Sequence, residues 1–325
     1  MDPDRMRAVT ARRYGGPRVL ALETLPRPRP GPREVLIRVE AFGVTRGDAR
    51  LRALDAPRGM GLPLRLALGV TRPRRVVPGR EFAGTVAEVG PGVTRWTAGT
   101  PVMGITPGLT LGAAADYCVV AEGGLLVRRP DTLPVPEAAG YFFGLLTAAD
   151  FLMDQARLGA HERVLVNGAT GAVGAAATWL AARLGATVTA LASPGNHDFA
   201  RALGATETAD YRAPPPPGPY DVVLDVAGTL PWRQARPLLT DTGRLGLVSA
   251  ALGPQIAASL HPNRQGRRLC AGLVKETPQA LARALAFHAQ GYRPVITALP
   301  LDAIVEAHRL ASSGHKRGNV VVLTV

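Results

Sequence analysis

The stretch Val164-Leu-Val-Asn-Gly-Ala-Thr-Gly-Ala-Val-Gly-Ala limits the possible folds of this chain more than any other. Its first residues, with Arg163, form a short apolar run that predicts a buried strand over 163–167. Gly168, Gly171 and Gly174 follow as a turn, and the alanine-rich Ala175–Leu184 predicts a helix closed by Gly185. A strand feeding a helix through glycines presents free N–H groups and the positive end of the helix dipole to an anion. A bare Gly171 lets a pyrophosphate approach, and a bare Gly174 lets helix and strand pack closely. Ala169 stands where the usual G-x-G-x-x-G has its first glycine. The glycines alone are a weak signal, but their strand–turn–helix setting makes a dinucleotide cradle the expected role of Ala169, Thr170, Gly171, Ala172, Val173 and Gly174.

The surrounding pattern agrees. Strands are expected at Thr187–Ala192, Asp221–Val226 and Arg244–Ser249. They alternate with helices at His197–Leu203, capped by Asn196, and Trp232–Leu239, which is followed by a turn at Thr240–Gly243. Such alternation implies a doubly wound parallel sheet. Upstream the period is different. Short strands at Val35–Glu40, Phe82–Val89, Val102–Gly104 and Tyr117–Val120, with turns about every ten residues, read as a β-rich unit. Arg50–Pro78 reads as a long loop holding at most a short helix, and Glu137–Ala156 as helix. The proline-rich Ala213–Pro219 reads as surface loop. Helices at Pro278–Gln290 and Leu301–Ala311 and a strand at Asn319–Val325 close the chain. The fold class expected is α/β.

The end of the second strand bears on which dinucleotide fits. An NAD site places an acid there for the ribose 2′-hydroxyl. Here the residues are Leu191-Ala-Ser-Pro-Gly-Asn, and no acid occurs before Asp198. Ser193 and Asn196 would tolerate a 2′-phosphate that an acid would repel, so NADP is the expected cofactor. No Arg or Lys in that loop would pair with the phosphate.

Composition removes several other classes. Two cysteines, Cys118 and Cys270, cannot make a disulfide framework or a cysteine zinc site. The opening residues lack the apolar core of a signal peptide, and the most apolar windows are shorter than the ~20 residues a bilayer requires. A cytoplasmic protein is expected. The net charge of +13 raises the possibility of a polyanion partner. Yet only Lys275 and Lys316 among the basic residues are lysine, and the arginines scatter except at Arg72, Arg74 and Arg75. That pattern fits a GC-rich coding sequence better than a nucleic-acid site.

In order along the chain come Tyr14-Gly-Gly-Pro, Gly31-Pro-Arg-Glu-Val-Leu-Ile-Arg-Val, Val77-Pro-Gly-Arg-Glu-Phe-Ala-Gly-Thr-Val-Ala-Glu-Val-Gly, the glycine turn, Leu203-Gly-Ala-Thr with Asp210-Tyr211, and Gly314-His-Lys-Arg-Gly-Asn-Val-Val. This series resembles the zinc-independent medium-chain dehydrogenase/reductases of the quinone oxidoreductase and enoyl reductase group. The resemblance implies a GroES-like catalytic domain (1–125), a Rossmann domain (126–289) and a C-terminal return to the first (290–325), with the active site between them. Zinc-using relatives carry Cys-His and Gly-His-Glu where this chain has Thr45-Arg46 and Gly79-Arg80-Glu81, so no metal is expected.

The same resemblance implies hydride transfer from NADPH to a small acceptor, a quinone or an activated alkene. It places Thr45 at a family asparagine near the nicotinamide, with Arg46 either holding an acceptor oxygen or lying solvated. Thr147, Val226, Ala227 and Ser249 are placed by the nicotinamide and its ribose. Tyr211 is placed at the adenosine phosphate, and Asn319 where the family commonly has a cationic lysine. For Asp48 and Glu81 a structural role is expected, with the proton coming from water. Two alternatives stay open: a catalytically weak NADPH-binding protein with an RNA or protein partner, and an enoyl reductase acting on acyl-thioesters near Arg72, Arg74 and Arg75. Homodimers are common in look-alikes.

Overall fold

The computed structural model describes all residues except Met1, 57–58, 261–262, 265 and Val325. Two seven-stranded sheets organise it. The first runs, in spatial order, Glu207–Asp210, Thr187–Ala192, Arg163–Asn167, Tyr220–Asp225, Leu239–Leu247 and Arg267–Ala271. All of these are parallel, and the short antiparallel Asn263–Arg264 lies at the edge. Val164, Leu165, Val166, Val222 and Val223 are fully buried, as strands covered on both faces require. The order reverses between Arg163–Asn167 and Tyr220–Asp225, which opens a crevice at their carboxyl ends, the place where such sheets bind ligands.

The second sheet is mixed. It runs Ile296–Pro300, Asn319–Leu323, Glu34–Val44, Glu81–Val89, Pro101–Ile105 and Leu126–Arg128, with Tyr117–Ala121 paired to the first half of Glu34–Val44. The last chain segment thus returns to the sheet begun by the N-terminal part. Leu126–Arg128 lies beyond the expected limit at 125, yet it bonds to Pro101–Ile105. Arg5–Ala11 and Leu20–Pro26 form a separate two-stranded ribbon.

Several local expectations need correction. Thr240–Gly243, expected as a turn, falls within the strand Leu239–Leu247 as a bulge: pairing to Tyr220–Asp225 passes from Leu239 directly to Arg244, and the pairing to Arg267–Ala271 begins at Arg244. Arg50–Pro78 holds much more helix than expected, with helices at Arg46–Ala53 and Gly61–Leu68; positions 57–58 lie outside the described residues. The expected helix at 137–156 is three pieces, Val135–Ala138, Phe142–Ala149 and a π-helical Asp150–Gln155. It breaks at Gly140, where a Cβ would lie 2.7 Å from Ile296 Cδ1 and 3.0 Å from Asn319 Cβ, so the crossing strands leave no room for side chains there. The late helix runs Ile304–Ser313 rather than 301–311, after a 3-10 turn. The closing strand ends at Leu323, and Val325 lies outside the described residues.

Helix Phe142–Ala149 joins the two sheets. Seven of its residues are buried, and one continuous apolar cluster links Ala41, Ala83 and Met103 through Phe142 and Leu145 to Val166 and Leu180. At Gly144 it crosses the start of helix Ala172–Arg183 so closely that a Cβ would overlap the Ala172 carbonyl oxygen. The cleft wall and the glycine turn are therefore held at contact distance.

Candidate active site

The glycine turn has separable parts. Gly168 has φ +84°, and a Cβ there would press within 3.2 Å of Ala227. Gly171 caps the helix with φ −76° and ψ −178°, a conformation open to any residue. Its Cβ position meets no atom within 4 Å, so the space above it is free. Gly174 is the reverse: a Cβ would overlap the Gly168 carbonyl oxygen. Ala172, Val173 and Gly174 form the first helical turn, whose N–H groups have no partner within the helix. Thr170 offers its carbonyl to Gly318 N–H at 2.9 Å, and Ala169 N–H is held by the Leu191 carbonyl at 3.1 Å. The last segment before the closing strand thus runs alongside the cradle.

Buried Asn167 and Asp225 end the two central strands. Asn167 Nδ2 donates to Asp225 Oδ1 at 2.8 Å and to Thr229 Oγ1 at 2.9 Å. Asp225 also accepts from the N–H groups of Gly228 and Leu230 at 2.9 and 3.0 Å. Val226 and Ala227 N–H both bond the Asn167 carbonyl. This network fixes the Val226–Gly228 turn at the crevice. Ser249 lies beside the turn: a Cβ on Gly228 would stand 3.7 Å from its Cβ.

At the far end, Ser193 Oγ accepts from Asn196 Nδ2 at 3.0 Å. Asn196 occupies the helix cap position but makes no side-chain cap bond. Its Oδ1 instead accepts from Arg317 Nε, and Arg317 Nη2 bonds the Gly195 carbonyl at 2.5 Å. The cation missing from the loop's own sequence arrives from more than a hundred residues away. Exposed Tyr211 sits at the end of the adjacent strand, its N–H on the Ala192 carbonyl at 3.3 Å. Asp198 is turned to Arg201, 2.8 Å away.

The other wall of the cleft comes from the N-terminal part. A cavity of about 310 Å³ is lined by Thr45, Arg50, Met60, Glu81, Phe143 and Leu273 among others. Thr45 caps helix Arg46–Ala53 in a reciprocal box with Asp48. Its Oγ1 donates to Asp48 Oδ2 at 2.6 Å and accepts Asp48 N–H at 3.1 Å, while its own N–H reaches Asp48 Oδ2 at 2.8 Å. The hydroxyl's proton is engaged inside this box, which fixes the start of the helix beside the cavity. Arg46 is exposed, and its Nη1 bonds the Ser312 carbonyl at 2.9 Å. Thr147 Oγ1 donates to the Phe143 carbonyl one turn back, at 2.8 Å. Asn319 is buried, with Nδ2 3.4 Å from the Val295 carbonyl.

Two carboxyls and one amine are electrostatically unusual. Glu81 accepts from Phe142 N–H and, at 3.4 Å, from Phe143 N–H, yet burial outweighs these bonds and pushes it up to about 8. Burial also raises Asp48, against the bonds from Thr45. Lys316, bonded to the Gly318 carbonyl at 2.6 Å, is brought down to about 8 by burial and then by Arg46, with Glu81 opposing. Among the described residues no group of three His, Cys, Asp or Glu could hold a metal ion.

Residues 31–131 match the alcohol dehydrogenase GroES-like domain model, and residues 203–322 match the zinc-binding dehydrogenase model. The chain is 30% identical over 336 residues, 98% of each chain, to the chloroplastic quinone-oxidoreductase QR1 of Triphysaria versicolor. The solved quinone oxidoreductase of Coxiella burnetii superposes with a TM-score of 0.86 at 26% identity, covering 99% of this chain and 100% of its own. The chain belongs to the medium-chain dehydrogenase/reductases. Within that family it falls in the quinone oxidoreductase and enoyl reductase group, and it is an oxidoreductase that uses a nicotinamide cofactor.

For a medium-chain reductase the cleft departs from the zinc pattern in its donors. Thr45 offers an alcohol already bonded to Asp48. Arg80 offers a guanidinium with no lone pair, tied to Glu276 at 2.5 Å and to the Thr106 carbonyl at 3.2 Å. Asn167, Asp225, Arg317 and Arg50 are the site residues that sequence reasoning missed. The first two were legible as polar ends of apolar strands. The arginines were not, because only the fold brings them to the cleft.

Proposed function

We propose that the chain is an NADPH-dependent, zinc-independent reductase that delivers hydride to a conjugated carbonyl acceptor, a quinone or an enone. The observation that carries the NADPH reading is the Arg317 guanidinium fixed on Asn196 and Gly195 beside Ser193, with no free acid in the loop. A 2′-phosphate would find there a cation, an amide and a hydroxyl. The open space over Gly171 and the unbonded first turn after it fit a pyrophosphate. The Val226–Gly228 turn and Thr147 would flank the nicotinamide end.

When bound, the nicotinamide supplies the hydride. The chain's own residues position it against the cavity, whose apolar lining includes Met60, Phe143 and Leu273. The names of the relatives support a quinone as acceptor. The buried free thiols of Cys118 and Cys270 support a reducing, cytoplasmic setting. A second reading, reduction of an acyl-thioester, draws on 43% identity over 155 residues to the polyketide synthase protein NorB of Streptomyces orinoci. That match covers 47% of this chain and 7% of NorB.

The test is NADPH oxidation with a panel of quinones, enals and acyl-thioesters, repeated with NADH and with Arg317→Ala. Turnover with quinones or enals is expected. The variant should weaken NADPH by about ten- to a hundredfold, as loss of a charged hydrogen bond does, and leave NADH unchanged. Equal affinity of the wild type for both coenzymes would remove the NADPH assignment. Turnover with thioesters alone would favour the second reading.

A further inference from the structure

Helix Arg46–Ala53 carries three arginines, and two of them are occupied by backbone. Arg46 holds the Ser312 carbonyl, and Arg52 Nη1 holds the Gly15 carbonyl at 2.7 Å. Arg50 is different. It lines the 310 Å³ cavity, and its one side-chain hydrogen bond among the described residues is from Nη1 to Ser249 Oγ at 3.2 Å. The second arginine of that cavity, Arg80, is neutralised by Glu276 and bonded to the Thr106 carbonyl. No carboxylate forms an ion pair with Arg50 among the described residues. The charged groups that act on it are Asp55 and Arg46, one of each sign, and burial lowers its pKa. A guanidinium keeps its proton across the working range and carries five donors. Half-buried at a largely apolar cavity with most of those donors unused by the protein, it is free to take an oxygen ligand.

The position of Arg50 defines that ligand. Ser249 adjoins the Val226–Gly228 turn, so the guanidinium stands where the nicotinamide edge of the cleft meets the acceptor cavity. We infer that Arg50 is the catalytic group that binds the carbonyl oxygen of the acceptor and stabilises the oxyanion formed on reduction. This rests on the reductase reading proposed above. Hydride adds to the β-carbon of an enone, making one C–H bond. The alkene electron pair shifts toward the carbonyl, whose oxygen becomes an enolate held by the Arg50 N–H groups. A proton from water at the α-carbon then gives the saturated ketone, and the nicotinamide is left oxidised. With a quinone the oxyanion is the hydroquinone monoanion, protonated by water on oxygen. Donors placed where charge develops are among the strongest contributors to such rates.

Arg50→Met and Arg50→Lys in the full chain provide the test, with menadione and cinnamaldehyde as acceptors. Arg50→Met should lower kcat/KM by about a hundredfold, and the lysine variant should recover part of the loss. The Kd of NADPH by calorimetry and the Tm should stay at wild-type values. The Kd of menadione for the unreactive NADP+ complex should weaken by about tenfold in Arg50→Met. Wild-type kcat/KM in Arg50→Met with both acceptors would overturn the inference. So would a loss of NADPH affinity that matches the loss of turnover, since Arg50 would then be a cofactor clamp. If the wild type turns over neither acceptor but Arg50→Met still weakens menadione binding, the reductase reading fails while the oxygen-binding role of Arg50 stands.

Discussion

Glu81 shows how burial can overrule hydrogen bonding at a single side chain. Two N–H groups at the start of helix Phe142–Ala149 favour its charge, yet its carboxyl sits at about 8 instead of 4.5. Between those values the folded chain keeps a proton that the unfolded chain has released. The stability tied to Glu81 is therefore complete below the lower value and is lost as pH rises through about 8. Buried His308, depressed to about 3, acts in the opposite sense at lower pH, so a difference profile is needed. Glu81→Gln should remove a decline on the order of a few kcal/mol from the urea stability profile. Parallel profiles for wild type and variant would show that Glu81 is ionised throughout. Thr45 and Asn196 carry a related lesson, since residue type gives what a side chain can do but not which partner it takes. The family resemblance placed the first near the nicotinamide, and the sequence read the second as a helix cap that also tolerates a 2′-phosphate; the fold bonds the one to Asp48 and the other to Ser193 and Arg317.

The strand–turn–helix unit at Arg163–Arg183 was legible in its order and its strand, because apolar run, glycines and alanine helix all report local geometry, though the helix starts at Ala172, three residues before the expected Ala175. Its glycines nevertheless do different work, and substitution separates them. Gly171→Ala meets no atom and an allowed backbone, so Tm should hold while the methyl intrudes on the phosphate space. Weakening of NADPH by about 1.4 kcal/mol or more, tenfold in Kd, is expected by calorimetry. Gly174→Ala forces its methyl onto the Gly168 carbonyl and should cost roughly 1–3 kcal/mol of stability in a denaturant melt. Undiminished NADPH affinity in Gly171→Ala would mean that the pyrophosphate lies elsewhere. The helix expected at 137–156 was legible only as helical, since its break at Gly140 is imposed by strands whose closest residues are Ile296 and Asn319.

The two sheets share one apolar cluster through helix Phe142–Ala149, and the Arg80–Glu276 pair ties them across the cleft. A large apolar junction should couple their unfolding. Urea transitions followed by far-ultraviolet circular dichroism and by tryptophan fluorescence, with Trp96 in the N-terminal part and Trp179 in the parallel-sheet part, should coincide. NADPH at a hundredfold excess over its Kd should add about 2.7 kcal/mol. Separated transitions would show that the junction does not couple the halves. The amino-acid sequence by itself determined the α/β class, the glycine cradle, the missing zinc ligands and the absence of an acid at the second strand, all properties of neighbours along the chain. Only the tertiary structure decided that Arg317 reaches the Ser193–Asn196 loop, that Thr45 and Arg50 line one cavity while the Thr45 hydroxyl is bonded to Asp48, and that burial raises the Glu81 carboxyl. Those outcomes depend on burial and on partners dozens to hundreds of residues away, which chain closure brings together and sequence spacing does not encode.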